Sequence, residues 1–282
     1  MANETTTTSL NDLIPSIIQE AMFVASERSI MRGLVKNYSV PMGTGLTVNV
    51  PIYTAQTAAG VAEGTDLTNT SVSTGTVQLT VSEAGIMTTI TDLVANSAAS
   101  NVVADVGRLF GEAIARKMDK DLLALFAGFS TVVGTNATEL TAASIFKAVA
   151  KLRSIGVPGD ALACVLSPEQ AYDLKKALTG TYSNPNAGLI QNQAMATGYV
   201  GMLAGVPVYE TGNLDGVADV FKGGLFHRDA LGLAVMSDIR IEPQRDASLR
   251  ATELVATATY GVGELYDAYG VQLISLADLA DA

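Results

Sequence analysis

His227 and Cys164 are the only histidine and the only cysteine in the 282-residue chain, so a His/Cys zinc site cannot be assembled from it. A Ser-His-Asp arrangement would have to use His227, and no Gly-x-Ser-x-Gly elbow accompanies it. Within Phe226-His227-Arg228-Asp229 the histidine reads as a structural residue at a strand edge. Ser144-x-x-Lys147 matches the Ser-x-x-Lys of penicillin-recognising enzymes and is the best enzymatic lead. Its Ser-Asp-Asn and Lys-Thr-Gly companions are missing, and the nearest substitutes, Lys222-Gly223-Gly224 and Ser237-Asp238-Ile239, come in the wrong order. Gly43-Thr44-Gly45 and Gly261-Val262-Gly263 lack the third glycine and the strand-to-helix setting of a dinucleotide fold, and there is no Walker A lysine. Asp119 and Asp121 stand among basic residues on an expected helix and read as a solvated face rather than an acid–base pair. Asn-x-Ser/Thr sequons, as at Asn69 and Asn136, are chance matches without secretion. The expectation is a chain with no catalytic, cofactor-binding or metal-binding residues.

Composition points the same way. Charged residues make up 16% of the chain, against roughly 25% in ordinary soluble domains, while the hydrophobic set reaches 48%. Mean hydropathy is +0.30. No stretch approaches the ~18 consecutive apolar residues of a spanning helix, so no membrane partner is expected. A folded monomer of 29.2 kDa would expose about 11,000 Å², which these charges cover at roughly one per 250 Å². A surface so poor in charge suits a chain that associates. A net charge of −11 without a Lys/Arg cluster argues against a basic groove for nucleic acid. The polar, Thr-rich start from Met1 to Leu10 is not a secretory signal.

The elements that would position these residues run in a definite order. Leu10, Leu13, Ile14, Ile17, Ile18, Ala21 and Val24 have the spacing of one helical face, either packed on its own domain or lying as an arm on a neighbour. Leu46, Val48, Val50 and Ile52, then Val77, Leu79 and Val81, alternate as two strands separated by more than twenty Thr-, Ala-, Gly- and Ser-rich residues. Such a ribbon has no second layer for its apolar face and needs a partner surface. A long helix follows from Asn101 to about Gly128, with Gly107 and Gly111 on one face for close packing. Thr141 can cap a helix carrying Ile145, Phe146, Val149 and Leu152; Ala161 to Leu166 is a short strand. Ser167-Pro168-Glu169-Gln170 supplies a cap, a proline at the first helical position and a capping-box glutamine. After Gly205 strands dominate, at Val206–Tyr209, Ala230–Met236, Ile239–Gln244, Leu249–Tyr260 and Val271–Ser275. The order predicts an α+β fold rather than a doubly wound sheet.

This order and several local strings resemble the major capsid proteins of tailed double-stranded DNA bacteriophages, the Hong Kong 97-type fold, from about Leu10 to Ser275. Leu46-Thr47-Val48-Asn49-Val50-Pro51, then Ala62-Glu63-Gly64 and the Thr-rich return strand, are similar to the family's extended loop, or E-loop. Glu112-Ala113-Ile114-Ala115-Arg116-Lys117-Met118-Asp119 resembles its spine helix. Ser167-Pro168 and Gly201-Met202-Leu203-Ala204-Gly205-Val206-Pro207-Val208 resemble the axial domain. Phe226-His227-Arg228-Asp229-Ala230-Leu231, Ile241-Glu242-Pro243-Gln244 and Tyr260-Gly261-Val262 resemble the closing strands.

The resemblance implies an N-terminal arm over 1–37, an extended β-hairpin loop with its return strand over 38–92, and a peripheral domain with the spine helix over 93–138. It further implies an axial α/β domain over 139–225 and closing strands over 226–282. In that reading Thr57, Val61, Glu63, Asp66 and Leu67 of the E-loop, and Leu13, Ile17 and Phe23 of the arm, contact neighbouring subunits. Hexamers and pentamers would close into an icosahedral shell in the virion, assembled in the host cytoplasm around double-stranded DNA without reading its sequence. Fewer than fifty residues precede the E-loop, so the implied partners are a separate scaffolding protein together with portal and decoration proteins. Lysine–asparagine crosslinking is not carried over, because no matching residues are assigned. An encapsulin-like compartment shell enclosing a protein cargo is the alternative, and a serine hydrolase using Ser144 and Lys147 the distant third.

Overall fold

The computed structural model describes residues 29–41, 43, 45–53, 58, 60–64, 66, 69, 71–72, 74–93, 102–179 and 201–277. The expected N-terminal helix, with Leu13, Ile17 and Phe23, lies outside them, as do Thr57 and Leu67.

Two sheets and a ribbon carry the architecture. A four-stranded sheet has the order β1 (Lys36–Ser39), β10 (Leu231–Asp246), β11 (Ala251–Glu264), β4 (Ser82–Thr91). β1 runs parallel to β10, and the other pairs are antiparallel. Along β11 every second residue, Leu254, Ala256, Ala258 and Tyr260, is buried, the signature of a strand with one covered face. The cover is helix α2 (Val102–Ala124), whose Phe110, Ile114, Met118 and Leu122 repeat every fourth position and join the same core. At 23 residues α2 is about 35 Å long. A short turn of tighter helix, Leu125–Gly128, replaces its expected last turn. The one-turn helix α1 (Met31–Leu34) seats Met31 in this core as well.

The six-stranded sheet has the order β5 (Val132–Gly134), β12 (Gly270–Leu276), β9 (Val220–His227), β6 (Leu162–Leu166), β8 (Val206–Glu210), β7 (Met202–Leu203). All five residues of β6 are buried, and they divide by period two. Leu162, Cys164 and Leu166 face a core built with Ile145, Val149 and Leu152 of helix α3 (Ala142–Ser154) and Leu174 of helix α4 (Pro168–Thr179). Ala163 and Val165 face the core that contains the end of α2, with Phe126 and Phe226 5.3 Å apart between ring centres. The central strand thus ties both cores together.

The ribbon pairs β2 (Thr47–Tyr53) with β3 (Thr74–Thr80) in the expected antiparallel sense, Val48 opposite Leu79 and Val50 opposite Val77. Its root is better supported than the sequence suggests. Val50, Leu79 and Val81 share a small core with Val40, Ala234 and Leu265 of the subunit's own body. Toward the tip that support is gone: Tyr53 is 64% exposed and Val72 58%.

Other expectations are corrected. Phe146, placed on the apolar face of α3, is exposed, because Ile145, Ala148, Val149 and Leu152 already define the face toward the sheet. Thr141 caps α3 without a side-chain bond to its backbone; its hydroxyl lies 3.2 Å from Ser144 Oγ instead. The two strands expected over 230–244 are one strand, β10, with irregularities around Ser237 where the register against β11 shifts.

Candidate assembly surfaces

The residues with chemical potential are engaged structurally. His227 is buried at the end of β9, where Nδ1 accepts from the Asp229 backbone N–H at 3.2 Å and the ring meets Tyr269 edge-on. It is the last residue of β9, a central strand of the six-stranded sheet. Cys164 is fully buried, and burial pushes its thiol up to about 12, so it is held as a neutral apolar group. Ser144 sits in the first turn of α3, its backbone N–H bonded to Thr141 O at 3.0 Å, while Lys147 is exposed. Among the described residues no group of three His, Cys, Asp or Glu could hold a metal ion, and no helix is long and apolar enough to cross a membrane.

Gly261 and Gly263 do have a specific task, and it is steric. They lie one pleat apart on β11, on the face crossed by the root of the ribbon. A Cβ on Gly261 would fall within 3.0 Å of the Thr80 backbone, and one on Gly263 within 3.0 Å of Leu79. Gly232, paired with Gly263 across β10 and β11, would bring its Cβ to 3.1 Å from Leu79 Cδ1. Three missing side chains make the notch through which the ribbon leaves the body. A Gly-x-Gly pair inside a strand signals this kind of close backbone approach.

Asp119 overturns the reading of a solvated acidic face. It is completely buried, accepting from Ser29 Oγ at 2.8 Å and from the Ile30 backbone N–H at 3.2 Å. Burial raises its carboxyl pKa above the ordinary value, and the bonds from Ser29, Ile30, Met31 and Asn213 oppose the rise without cancelling it. Ser29 and Ile30 are therefore tethered to the C-terminal half of α2, and Arg32 reinforces the tether by a pair with Asp238 at 3.0 Å. A sequence signal exists: Gly111, Ala115, Asp119 and Leu123 repeat every fourth residue along a buried stripe. Asp121 does reach solvent, yet it is shared between Lys117 at 2.5 Å and the Tyr260 hydroxyl, which donates at 2.8 Å. Beside the tether lies a cleft of about 550 Å³, bordered by Ile30, Leu109, Arg116, Thr211 and Asn213.

Of the expected inter-subunit residues, Val61, Glu63 and Asp66 are described, and all are exposed in the ribbon tip. Glu63 and Gly64 form a turn in which Gly64 takes φ 84°.

A long helix packed on a four-stranded sheet, an α/β unit and a two-stranded ribbon make up a mixed helix-and-sheet fold of the Hong Kong 97 type. The family model described as phage capsid protein matches residues 73–274, and the chain belongs to that family. Solved structures share the fold. A chain from Mycobacterium phage Che8 is 21% identical, with TM-score 0.67 over 82% of this chain and 85% of that one. The capsid of cyanophage P-SCSP1u gives 17% identity and TM-score 0.68 over 89% of each chain. The capsid of a native GTA particle gives 13% identity and TM-score 0.69 over 90% of this chain and 91% of that one. No curated protein matches by sequence. The protein is a major capsid protein, a structural subunit of the icosahedral phage shell.

Proposed function

We propose that the subunit assembles as hexamers and pentamers and that its working parts are surfaces rather than a catalytic site. The four-stranded sheet with α2 forms the peripheral domain, the six-stranded sheet with α3 and α4 the axial domain, and the ribbon the E-loop that lies over an adjacent subunit. The observation that carries this reading is the ribbon itself, anchored at the Gly261/Gly263 notch and bare beyond Tyr53, Val61 and Val72. A two-stranded ribbon gains a second apolar layer only when another surface covers it. The segment before Ser29 is the arm, with Leu13, Ile17 and Phe23 toward a neighbour. Packaged double-stranded DNA fills the shell without sequence readout; the net charge of −11 and the low Lys/Arg content keep it from adhering to the wall. A separate scaffolding protein guides assembly in the host cytoplasm, and portal and decoration proteins complete the head.

Electron microscopy of the purified chain and of infected-cell particles tests the proposal. Closed shells containing nuclease-protected DNA are the expected result. A chain that stays monomeric under every assembly condition overturns it, and shells that hold a co-purifying enzyme and no DNA convert it to a cargo compartment.

A further inference from the structure

The outer edge of β4 is the least protected sheet edge in the body of the subunit. Of the other edges of the two sheets, β5 has three residues and β7 two; β1 has four and covers only Gly232–Val235 of β10, whose remaining length, residues 236–246, is blunted by Arg240, Glu242, Pro243 and Arg245 and by the register shifts around Ser237. β4 has ten, Ser82 to Thr91, and no described strand pairs with its far side. Long edges are ordinarily blunted by charge, proline or a bulge. Here Glu83 is the sole charge, proline is absent, and the register against β11 runs without a shift from Ser82 to Thr91. Met87 stands 60% exposed in the middle of the strand.

We propose that this edge pairs antiparallel with the same edge of a second copy, across a two-fold axis at Met87, joining two four-stranded sheets into one. The inference rests on the coat-protein reading above and adds a contact to it. Two features select a second copy as the occupant. Pairing Met87 with Met87 of the partner subunit keeps equivalent sheet faces on the same side, as a shell with an inside and an outside requires, because residues separated by an even number share a face. In that register Gly85 stands opposite Thr89 and Glu83 opposite Thr91, so the only charge of the strand never meets its own copy and no like-charge pair opposes the contact. The exposed methionine side chains meet at the axis and cover each other.

Met87→Cys tests the register directly, since the only native thiol, Cys164, is buried. Directly opposed residues lie about 4.5–5.5 Å apart at Cα, within disulfide range. In assembled particles the variant is expected to form disulfide-linked dimers on mild oxidation. Thr89→Cys should remain monomeric, because its copy would lie four residues away, about 14 Å. Met87→Lys should raise the concentration needed for assembly by about tenfold, the loss expected for ~1.4 kcal/mol at the contact. Three results overturn the pairing and leave the coat reading intact: shells of Met87→Cys whose introduced thiol stays unlinked, shells of Thr89→Cys that link equally well, or a Met87→Cys thiol that links to a different polypeptide. If no particles form, the coat reading fails first, and a Met87→Cys chain without dimers removes this inference with it.

Discussion

Leu79 of the ribbon rests against the bare backbone of Gly263 in β11, in a space that a single methyl group would occupy. One strand away, Gly232 completes the notch, and Gly261 admits the Thr80 backbone. Gly263→Ala is therefore expected to destabilise the subunit by about 1–3 kcal/mol through overpacking. Gly261→Ala should cost more, because the obstructing atoms are backbone and cannot rotate away. Denaturant unfolding of Gly263→Ala, Leu79→Ala and the double variant checks the mechanism: the double variant should be less damaged than the sum of the two.

Asp119 sets a pH dependence whose sign follows from its surroundings. Its folded-state pKa is raised, chiefly by desolvation, so the native state holds a proton that the unfolded chain has released. The stabilisation from this group is complete below the ordinary carboxyl value of 3.8 and is lost as pH rises through the raised folded value. Relative to Asp119→Asn, the native chain should gain stability as pH falls through that window. Asp119→Ala removes the acceptor for Ser29 and Ile30 and should cost about 1.5–3 kcal/mol near neutrality. Thermal melts of the three proteins across that pH range make the comparison; parallel curves for native and Asn forms would refute the assignment.

A feature of this fold is legible in the sequence where its signal is local. The ribbon strands alternate, α4 carries its own capping box, and both are legible: Gln170 N–H donates to Ser167 Oγ at 3.1 Å, and Ser167 N–H to Gln170 Oε1 at 3.4 Å. β9 is hidden because Gly223 and Gly224 interrupt its pattern, whereas in the fold they make room for Gln170 and Leu166 on one side and Phe126 on the other. β1 offers only Tyr38 as an apolar cue and exists because β10 supplies its hydrogen bonds. The notch at Gly261 and Gly263 depends on Leu79 and Thr80, nearly two hundred positions away, which no local window connects. Val61, Glu63 and Asp66 share the same difficulty one level higher, since the surface proposed to receive them belongs to another molecule.

Gln170 does more than close the capping box. Its Nε2 donates to Ser275 Oγ at 2.8 Å, Phe221 O at 3.2 Å and Leu273 O at 3.3 Å, linking α4 to β9 and β12 inside the core. Ser167→Ala should cost about 1 kcal/mol, the ordinary loss of a helix cap. Gln170→Glu replaces the donating amide with a group that faces carbonyl oxygens, and it should destabilise more than Gln170→Ala. Equilibrium unfolding of the three variants gives the ranking.

Cys164 provides a clean report on global stability. Its thiol is fully buried between α3 and the sheet and pushed up to about 12, so thiolate is scarce and no reagent reaches it in the native state. Labelling by a maleimide at neutral pH should be negligible for the folded subunit and complete once denaturant unfolds it.

Removal of the ribbon tip separates folding from assembly. The root residues Val50, Leu79 and Val81 hold the ribbon to the body, whereas Val61 and Val72 make no comparable core. Replacing residues 57–74 by a short Gly/Ser turn should leave the melting transition within a few degrees of the native one, as expected for a change of less than about 1 kcal/mol. Shell formation should nevertheless be lost, because the deleted segment is the part proposed to cover a neighbour. Circular dichroism with electron microscopy of the same preparation decides the matter: folded subunits that still close into normal shells would remove the inter-subunit role of the ribbon, whereas folded subunits without shells would locate that role in its tip.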